Sequence, residues 1–255
     1  MILSQQNTKA ELLPDGIARV LTQKEFLGLR VKKDVTSIGV IGVIYKKIAG
    51  VPRFRFIKEK SSYDKMKSGK TEPKSKFASG HVRSDDFTFV ENPMFGTVRA
   101  MCREIGEEAL LRVKKIRFLA AVKMTTSTDK STHYKGAFLI EEFTKLQKRK
   151  VVSFEGEKTE LYFKIKLKID EFGAYYEIKT EEIPYVEKPR DPNPDEILGG
   201  EWHPIRDFLT NTIIPRQLIF LEKAMSFLSK KQEIAMELYK TILKFNDFRL
   251  PDAEN

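Results

Sequence analysis

Glu104, Glu107 and Glu108 are spaced i, i+3 and i+4. On a helix that turns about 100° per residue they fall within a patch about 100° wide. Three carboxylates this close repel one another, and a hard divalent cation turns the repulsion into a ligand set. Mg²⁺ takes oxygen ligands and keeps waters or substrate phosphates in its remaining positions. Arg103 lies beside the patch, where its guanidinium can hold a glutamate in orientation through paired hydrogen bonds. The competing reading is an ordinary solvated acidic face.

The stretch around the glutamates supplies the helix this arrangement needs. In ENPMFGTVRAMCREIGEEALL (91–111) Asn92 can cap the helix and Pro93 suits its first position. Phe95, Val98, Cys102, Ile105 and Ala109 recur at steps of three and four and give one apolar face opposite the glutamates. The spacing predicts a helix over 92–110 with its carboxylates turned away from the core. Strands precede it. TSIGVIGVIYKK (36–47) is rich in β-branched residues, Gly50 and Pro52 turn the chain, and RFRFIKE (53–59) alternates apolar with basic. FASGHV (77–82) reads as a short strand with a tight glycine turn, in which Gly80 lets backbone approach a metal or phosphate. IRFLAAVKM (116–124), YKGAFLIEEF (134–143) and LYFKIKLKID (161–170) read as further strands, the last half-buried with a wet lysine face. A short helix is expected near Thr22–Leu29, and one long helix or two over 215–244.

Composition narrows the class. The 255 residues carry 46 basic and 36 acidic side chains, a formal charge of +10, and 18 Phe with 8 Tyr for burial. The charge favours anionic partners such as nucleotides or RNA. A single cysteine, Cys102, excludes an internal disulfide and a multi-cysteine zinc site, and is expected to be packed. His81, His133 and His203 form no HExxH pair, and His81 reads as structural. No stretch is long and apolar enough for a membrane helix, and the beginning of the chain has no secretory pattern, so no membrane partner and a cytoplasmic location are expected. GKT at 69–71 lacks the glycine five residues earlier that a phosphate-binding loop requires.

REIGEE (103–108) resembles the core of the Nudix box. SGHV (79–82) resembles the glycine turn that precedes the box in that family. DEILGGEWHPIRDFL (195–209), with Trp202, resembles its late Glu-containing loop and Trp strand. The resemblance spans about 36–215. It implies an α/β fold: a Nudix-like α/β/α sandwich with a mixed β-sheet, here with an N-terminal extension (1–35), insertions near 58–76 and 144–190, and a C-terminal helical segment (216–255). It implies Mg²⁺ or Mn²⁺ bound by Glu104, Glu107 and Glu108 with Gly80 close by. Glu104 is then a ligand or the base that activates water, Arg103 part of the catalytic set, and Glu196 an extra ligand or general base, with Glu201 its rival. Three features depart from the family. The acidic residue expected after the glycine is Asp86 or Glu91, and the loop from Asp86 to Arg103 is long. Leu110 replaces the glycine that ends the box, so the helix is expected to continue or exit differently. The 144–190 insertion is large.

The implied activity is hydrolysis of a diphosphate linkage in a nucleoside diphosphate joined to a group X. Two alternatives are a Nudix-fold module that senses a nucleotide or RNA without cleaving it, and an RNA 5′-end (cap) hydrolase. The expected partner is a nucleotide-type small molecule, with RNA and a homodimer allowed. The lysine-rich stretch 58–76 is expected to be a solvated surface loop, as is 185–195. Isopentenyl diphosphate isomerase, a fold relative, is disfavoured, because its active-site cysteine and histidine-rich metal site have no counterpart.

Overall fold

The β-branched run after residue 37 forms the spine of the molecule. It is strand β2 (Ile38–Ile48), and it is buried on both faces. In the computed structural model, residues 17–31, 37–59, 75–125, 132–146, 158–185, 197–204 and 215–245 are described. Ile38, Val40 and Ile44 point to one core, while Ile41, Val43 and Tyr45 point to the other. The period-two alternation of a strand thus feeds two apolar layers. The segments 60–74 and 186–196, read from sequence as surface loops, lie outside the described residues.

The other elements assemble around this spine. They are β1 (Ile17–Leu21), α1 (Gln23–Leu27), β3 (Val51–Glu59), β4 (Ala78–His81), α2 (Gly96–Ala109), β5 (Leu111–Thr125), β6 (Thr132–Lys145), β7 (Lys158–Asp170), β8 (Gly173–Tyr185), β9 (Ile197–Pro204), α3 (Pro215–Lys230) and α4 (Met236–Phe245). The nine strands form one mixed sheet in the order β7-β8-β5-β6-β2-β3-β9, with β1 on β5 and β4 on β2. β2 and β6 run parallel; the neighbouring strand pairs along the rest of that order are antiparallel. α1 and α2 pack over one face, and α3 with α4 over the other. The chain therefore has the expected α/β/α layering with a mixed sheet.

Local sequence explains the joints. Ala49 and Gly50 both have positive φ, 49° and 75°, in the two-residue link from β2 to β3, as a tight hairpin turn demands. Thr22 and Glu25 form a reciprocal cap on α1, which drives Phe26 fully into the core. α2 comes very close to β2 because Gly42 has no side chain. A Cβ there would lie 2.6 Å from Cδ1 of Ile105 and 2.9 Å from Cε of Met101.

The structure corrects four sequence expectations. Gly80 sits within β4, paired with Val40, and makes no turn. The apolar row of β7 is buried only at Phe163 and Ile165. Leu167 and Ile169 are 52% and 80% exposed, because β7 is the outermost strand. α2 does not run through residue 110. It stops at Ala109, and Leu110 itself takes the left-handed conformation (φ 53°, ψ 43°). Finally, the acidic face of α2 is only partly wet: Glu104 is buried, Glu108 nearly so, and Glu107 is exposed.

Candidate active site

The carboxylates of α2 lie beneath β4. Asn92 accepts a hydrogen bond from the Met94 N–H (3.0 Å) and Pro93 opens a short 3₁₀ turn, which starts the helix as read from sequence. Val98, Met101, Cys102 and Ile105 lock its apolar face on the sheet. That docking turns Glu104 and Glu108 inward against β4. Gly80 makes room for Glu104: a Cβ on this glycine would fall 2.0 Å from the Glu104 Cδ. The glycine is needed for what touches it, since its backbone is ordinary strand.

Arg103 organises the acidic cluster. Its Nε and Nη2 donate to the two oxygens of Asp86, each at 3.1 Å. Nη1 donates to Glu104 at 2.7 Å and to Glu107 at 3.1 Å, and Nη2 also donates to the His81 carbonyl at 2.9 Å. Asp86 is wholly buried, accepts from the Arg83 N–H (2.8 Å) and pairs with the buried Arg99. Asp86, and not Glu91, is therefore the acid joined to Arg103. Glu91 is exposed, and its N–H bonds the Phe163 carbonyl. The paired hydrogen bonds of Arg103 go to Asp86, while the glutamates receive single ones.

Burial raises the pKa of Glu104; the Arg103 charge opposes this, and the neighbouring Glu107 adds to it. Burial works against the charge of Arg103, but its bond to Asp86 and the charges of Asp86, Glu104 and Glu107 outweigh it and hold the guanidinium protonated. Burial, then the charges of Lys135, His133 and Arg83, lower His81 and leave it neutral near pH 7. Its imidazole does not enter the cluster, but its carbonyl does. Cys102 is buried, and burial pushes its thiol well up, so it is packing.

One participant was hidden in the sequence. Lys76 closes the lysine-rich stretch that composition marks as solvated, yet it is buried, and its ammonium donates to Glu108 at 3.0 Å. Its backbone bridges to Ile57 of β3, and the other Glu108 oxygen accepts the Ser79 N–H at 2.7 Å. The signal was positional: Lys76 directly precedes the apolar Phe77–Ala78 start of β4. Glu196 lies outside the described residues. Glu201 is on β9, with its carboxylate 3.4 Å from His203. Trp202 lies across from Arg55 on β3.

The donors suit a hard divalent cation in kind, being carboxylate oxygens beside a bare glycine. As they stand, their charge is met by Arg103 and Lys76, and among the described residues no three His, Cys, Asp or Glu side chains converge as a metal cage.

No family model and no curated protein matches the chain. Among solved structures, the E. coli ORF135 protein matches at 13% identity with a TM-score of 0.43, over 77% of this chain and 94% of that one. The NUDIX domain of Shewanella oneidensis NrtR, solved with ADP ribose, matches at 11% identity and a TM-score of 0.43, over 82% and 99%. A MutT/nudix family protein from Enterococcus faecalis matches at 13% and 0.40, over 95% and 81%. With TM-scores below 0.5, these likenesses do not decide a function; the side chains have to. No helix among the described residues is long and apolar enough to cross a membrane.

Proposed function

We propose that this protein is a Nudix-type hydrolase that depends on Mg²⁺ or Mn²⁺ and cleaves the diphosphate linkage of a nucleoside diphosphate joined to a group X. The supporting observation is that Arg103, fixed by Asp86, holds Glu104 against Gly80 and reaches Glu107, while the Ser79 N–H of β4 holds Glu108 of the same helix. Glu104, Glu107 and Glu108 would hold the ion, which would screen the diphosphate's negative charge and acidify a bound water. The residues of the chain do the rest. Arg103 is a positioning residue, since its described bonds all go to protein acceptors. It sets the rotamers of Glu104 and Glu107. Burial raises the pKa of Glu104, which suits proton acceptance from water if it serves as the base and not as a ligand. Glu107 is the exposed member, held by Arg103 at 3.1 Å and near Arg83 at 3.6 Å, with solvent access for an incoming ligand. Ser79 N–H fixes Glu108. Glu196 remains the candidate in the late segment for an extra ligand or base.

A hydrolysis screen with Mg²⁺ and with Mn²⁺ tests this reading. It covers nucleoside triphosphates, ADP-ribose, NADH, dinucleoside polyphosphates, CoA and capped RNA, followed by phosphate release. On the substrate it cleaves, Glu107→Gln lowers turnover by at least ~10²-fold through loss of one anionic ligand. Full activity of that variant ends the assignment.

A second reading has its own support. Lys76 already neutralises Glu108, and the acids do not converge without help. A nucleotide sensor that binds without cleaving has no need of them to converge. Binding without cleavage across the whole screen puts the sensor first.

A further inference from the structure

The described cations next to the acidic cluster are compensated: Lys76 by Glu108, Arg99 and Arg103 by Asp86. A second group on the same face of the sheet is not. Arg53, Arg55 and Ile57 share one face of β3. The register sets Lys46 of β2 opposite Arg53, and Trp202 of β9 opposite Arg55. The Lys46 ammonium lies 4.1 Å from the centre of the Trp202 ring, and the Arg55 guanidinium 5.6 Å from it. Phe143 of β6 stacks on the same indole at 5.9 Å, and Lys145 lies two residues further along β6. Lys46, Arg53 and Arg55 are half-buried. Among the described residues no carboxylate pairs with Lys46, Arg53, Arg55 or Lys145, and the buried Nε atoms of Arg53 and Arg55 have no hydrogen-bond partner. Among the described residues, Arg53 Nη1 reaches the Trp202 carbonyl at 3.4 Å.

Half-buried like charges without counter-charge repel each other and lose hydration. Burial, then the charges of Arg55 and Lys145, lower the pKa of Lys46. The indole face offsets part of this cost. A bound anion would remove the rest.

The cluster also points at the carboxylates. From Arg55 to Ile57 is two residues, about 7 Å along the strand. Ile57 bonds Lys76 through its backbone, and Lys76 holds Glu108. Gly200 of β9, paired with Ile57, gives the Arg55 side chain room to lie toward Ile57. A Cβ on Gly200 would press on the Arg55 Nε at 3.0 Å and the Phe56 carbonyl at 2.9 Å.

We propose that Lys46, Arg53 and Arg55 around Trp202 form an anion subsite for a phosphate that lies beyond the diphosphate to be cleaved, so that group X itself carries a phosphate. This rests on the hydrolase reading for its role, but not for its binding. Two sets of charges of opposite sign on one sheet face divide the work. The acids take the cation and the scissile link, and the cations take the far phosphate.

Trp202 is the only tryptophan of the chain, so its fluorescence reports this subsite directly. The full chain, kept metal-free with EDTA, is titrated with inorganic tripolyphosphate. A saturable change in emission is expected, weakened by rising salt. Arg55→Met and Lys46→Met each weaken binding at least tenfold, while Lys230→Met, at an exposed lysine on α3, binds within twofold of wild type. Far-UV circular dichroism confirms that each variant folds, and either one alone suffices for the comparison. No saturable change overturns the proposal. So does wild-type affinity in a folded Arg55→Met or Lys46→Met, or sulfate binding as tightly as tripolyphosphate. Because no metal and no turnover enter the titration, a protein that cleaves nothing in the screen but binds here loses the hydrolase reading and keeps the subsite.

Discussion

Arg103 and Arg117 are both nearly buried arginines at the centre of a charge cluster, and the clusters differ in what they leave over. Arg117 bonds Glu141 (3.2 Å), Asp170 (2.6 Å) and the carbonyls of Gly173 and Ala174 (2.9 and 3.1 Å). It ties the turn of the β7–β8 hairpin to β5. Lys115 and Lys231 join it, so three cations face two acids. The surplus is covered by rings: Tyr175 lies under Lys115 and Arg117, and Phe227 under Arg117 and Lys231. Around Arg103, Asp86 takes the paired bonds, and the glutamates share what remains. Glu107 still keeps 46% of its side chain in water. Both clusters are dense in charge. The first is closed on itself and holds a hairpin. The second has a reachable carboxylate that can change partners, and that is the property a reacting site needs.

Removing the central partner of each cluster gives the largest effect and breaks the comparison if it fails. Asp86→Ala leaves Arg99 and Arg103 buried without their acid. That costs about 3–5 kcal/mol, as for other buried pairs cut on one side, read by denaturant unfolding. Arg117→Met removes the guanidinium but leaves Glu141 and Asp170 paired with Lys115 and Lys231, so it costs less, about 1–3 kcal/mol. Activity separates them. The folded fraction of the Asp86 variant loses turnover, because Arg103 no longer sets the glutamates. The folded fraction of the Arg117 variant keeps wild-type turnover per molecule. Equal losses of turnover would make the two clusters the same kind of object.

Gly80→Ala comes next. Its Cβ would fall 2.0 Å from Glu104 Cδ, which no flexible shift of a few tenths of an ångström absorbs. The carboxylate must leave its place beside Arg103. Turnover falls about 10²-fold, equivalent to about 2.7 kcal/mol of barrier, with a smaller change in unfolding midpoint. Wild-type turnover in this variant would separate Glu104 from the chemistry.

The two clusters were not equally legible in the sequence. The glutamates and Arg103 could be placed because helical spacing is a local rule, and the capping residues Asn92 and Pro93 fix where it starts. The strands at 36–47 and 53–59 could be placed from a β-branched run and from alternation, while the α/β/α layering was legible only through the resemblance of the REIGEE segment. The partners that decide the state of the site come from far along the chain, and no spacing rule reaches them. Asp86 stood level with Glu91 until burial separated them. Lys76 read as one of many solvated lysines, although its backbone is already in the sheet. β8 went unread, because GAYYEIKTEEIPY mixes acids and a proline into its strand and gains its order from pairing with β7. Arg117 looked like a basic residue on a strand; its acids come from β6 and from the turn after β7.

The closed cluster carries a pH signature. Burial would raise the pKa of Asp170, but the bonds from Arg117 and the Phe172 N–H and the Arg117 charge override this and hold it at about 2, below its usual 3.8. A depressed carboxylate pKa contributes stability that is present above about pH 4 and is lost as pH falls toward 2. Asp170→Asn is therefore less stable than wild type at pH 6, and the gap narrows between pH 4 and pH 2. Urea midpoints across that range check it. A gap that stays constant with pH would mean that Asp170 acts through shape alone.

The smallest effect concerns the exit from α2, which sets where Glu107 and Glu108 stand over the sheet. Leu110 ends the helix in the left-handed region, its N–H bonded to the Ile105 carbonyl and its own carbonyl accepting the Leu146 N–H at 2.9 Å. β5 begins at the next residue, so the turn has no slack. An L residue with a Cβ pays roughly 1–2 kcal/mol for that conformation, and glycine is spared it. Leu110 is also half-covered, so a simple replacement mixes backbone strain with lost packing. Comparing Leu110→Gly with Leu110→Ala removes most of the packing difference, because both lose the isopropyl end beyond Cβ. The glycine variant should be the more stable of the two by about 1 kcal/mol in denaturant unfolding. Within a continuing helix the order reverses, with alanine ahead by about 1 kcal/mol. Alanine ahead would show that α2 runs on through Leu110 in solution, and would move the last turn of the acidic cluster away from β4.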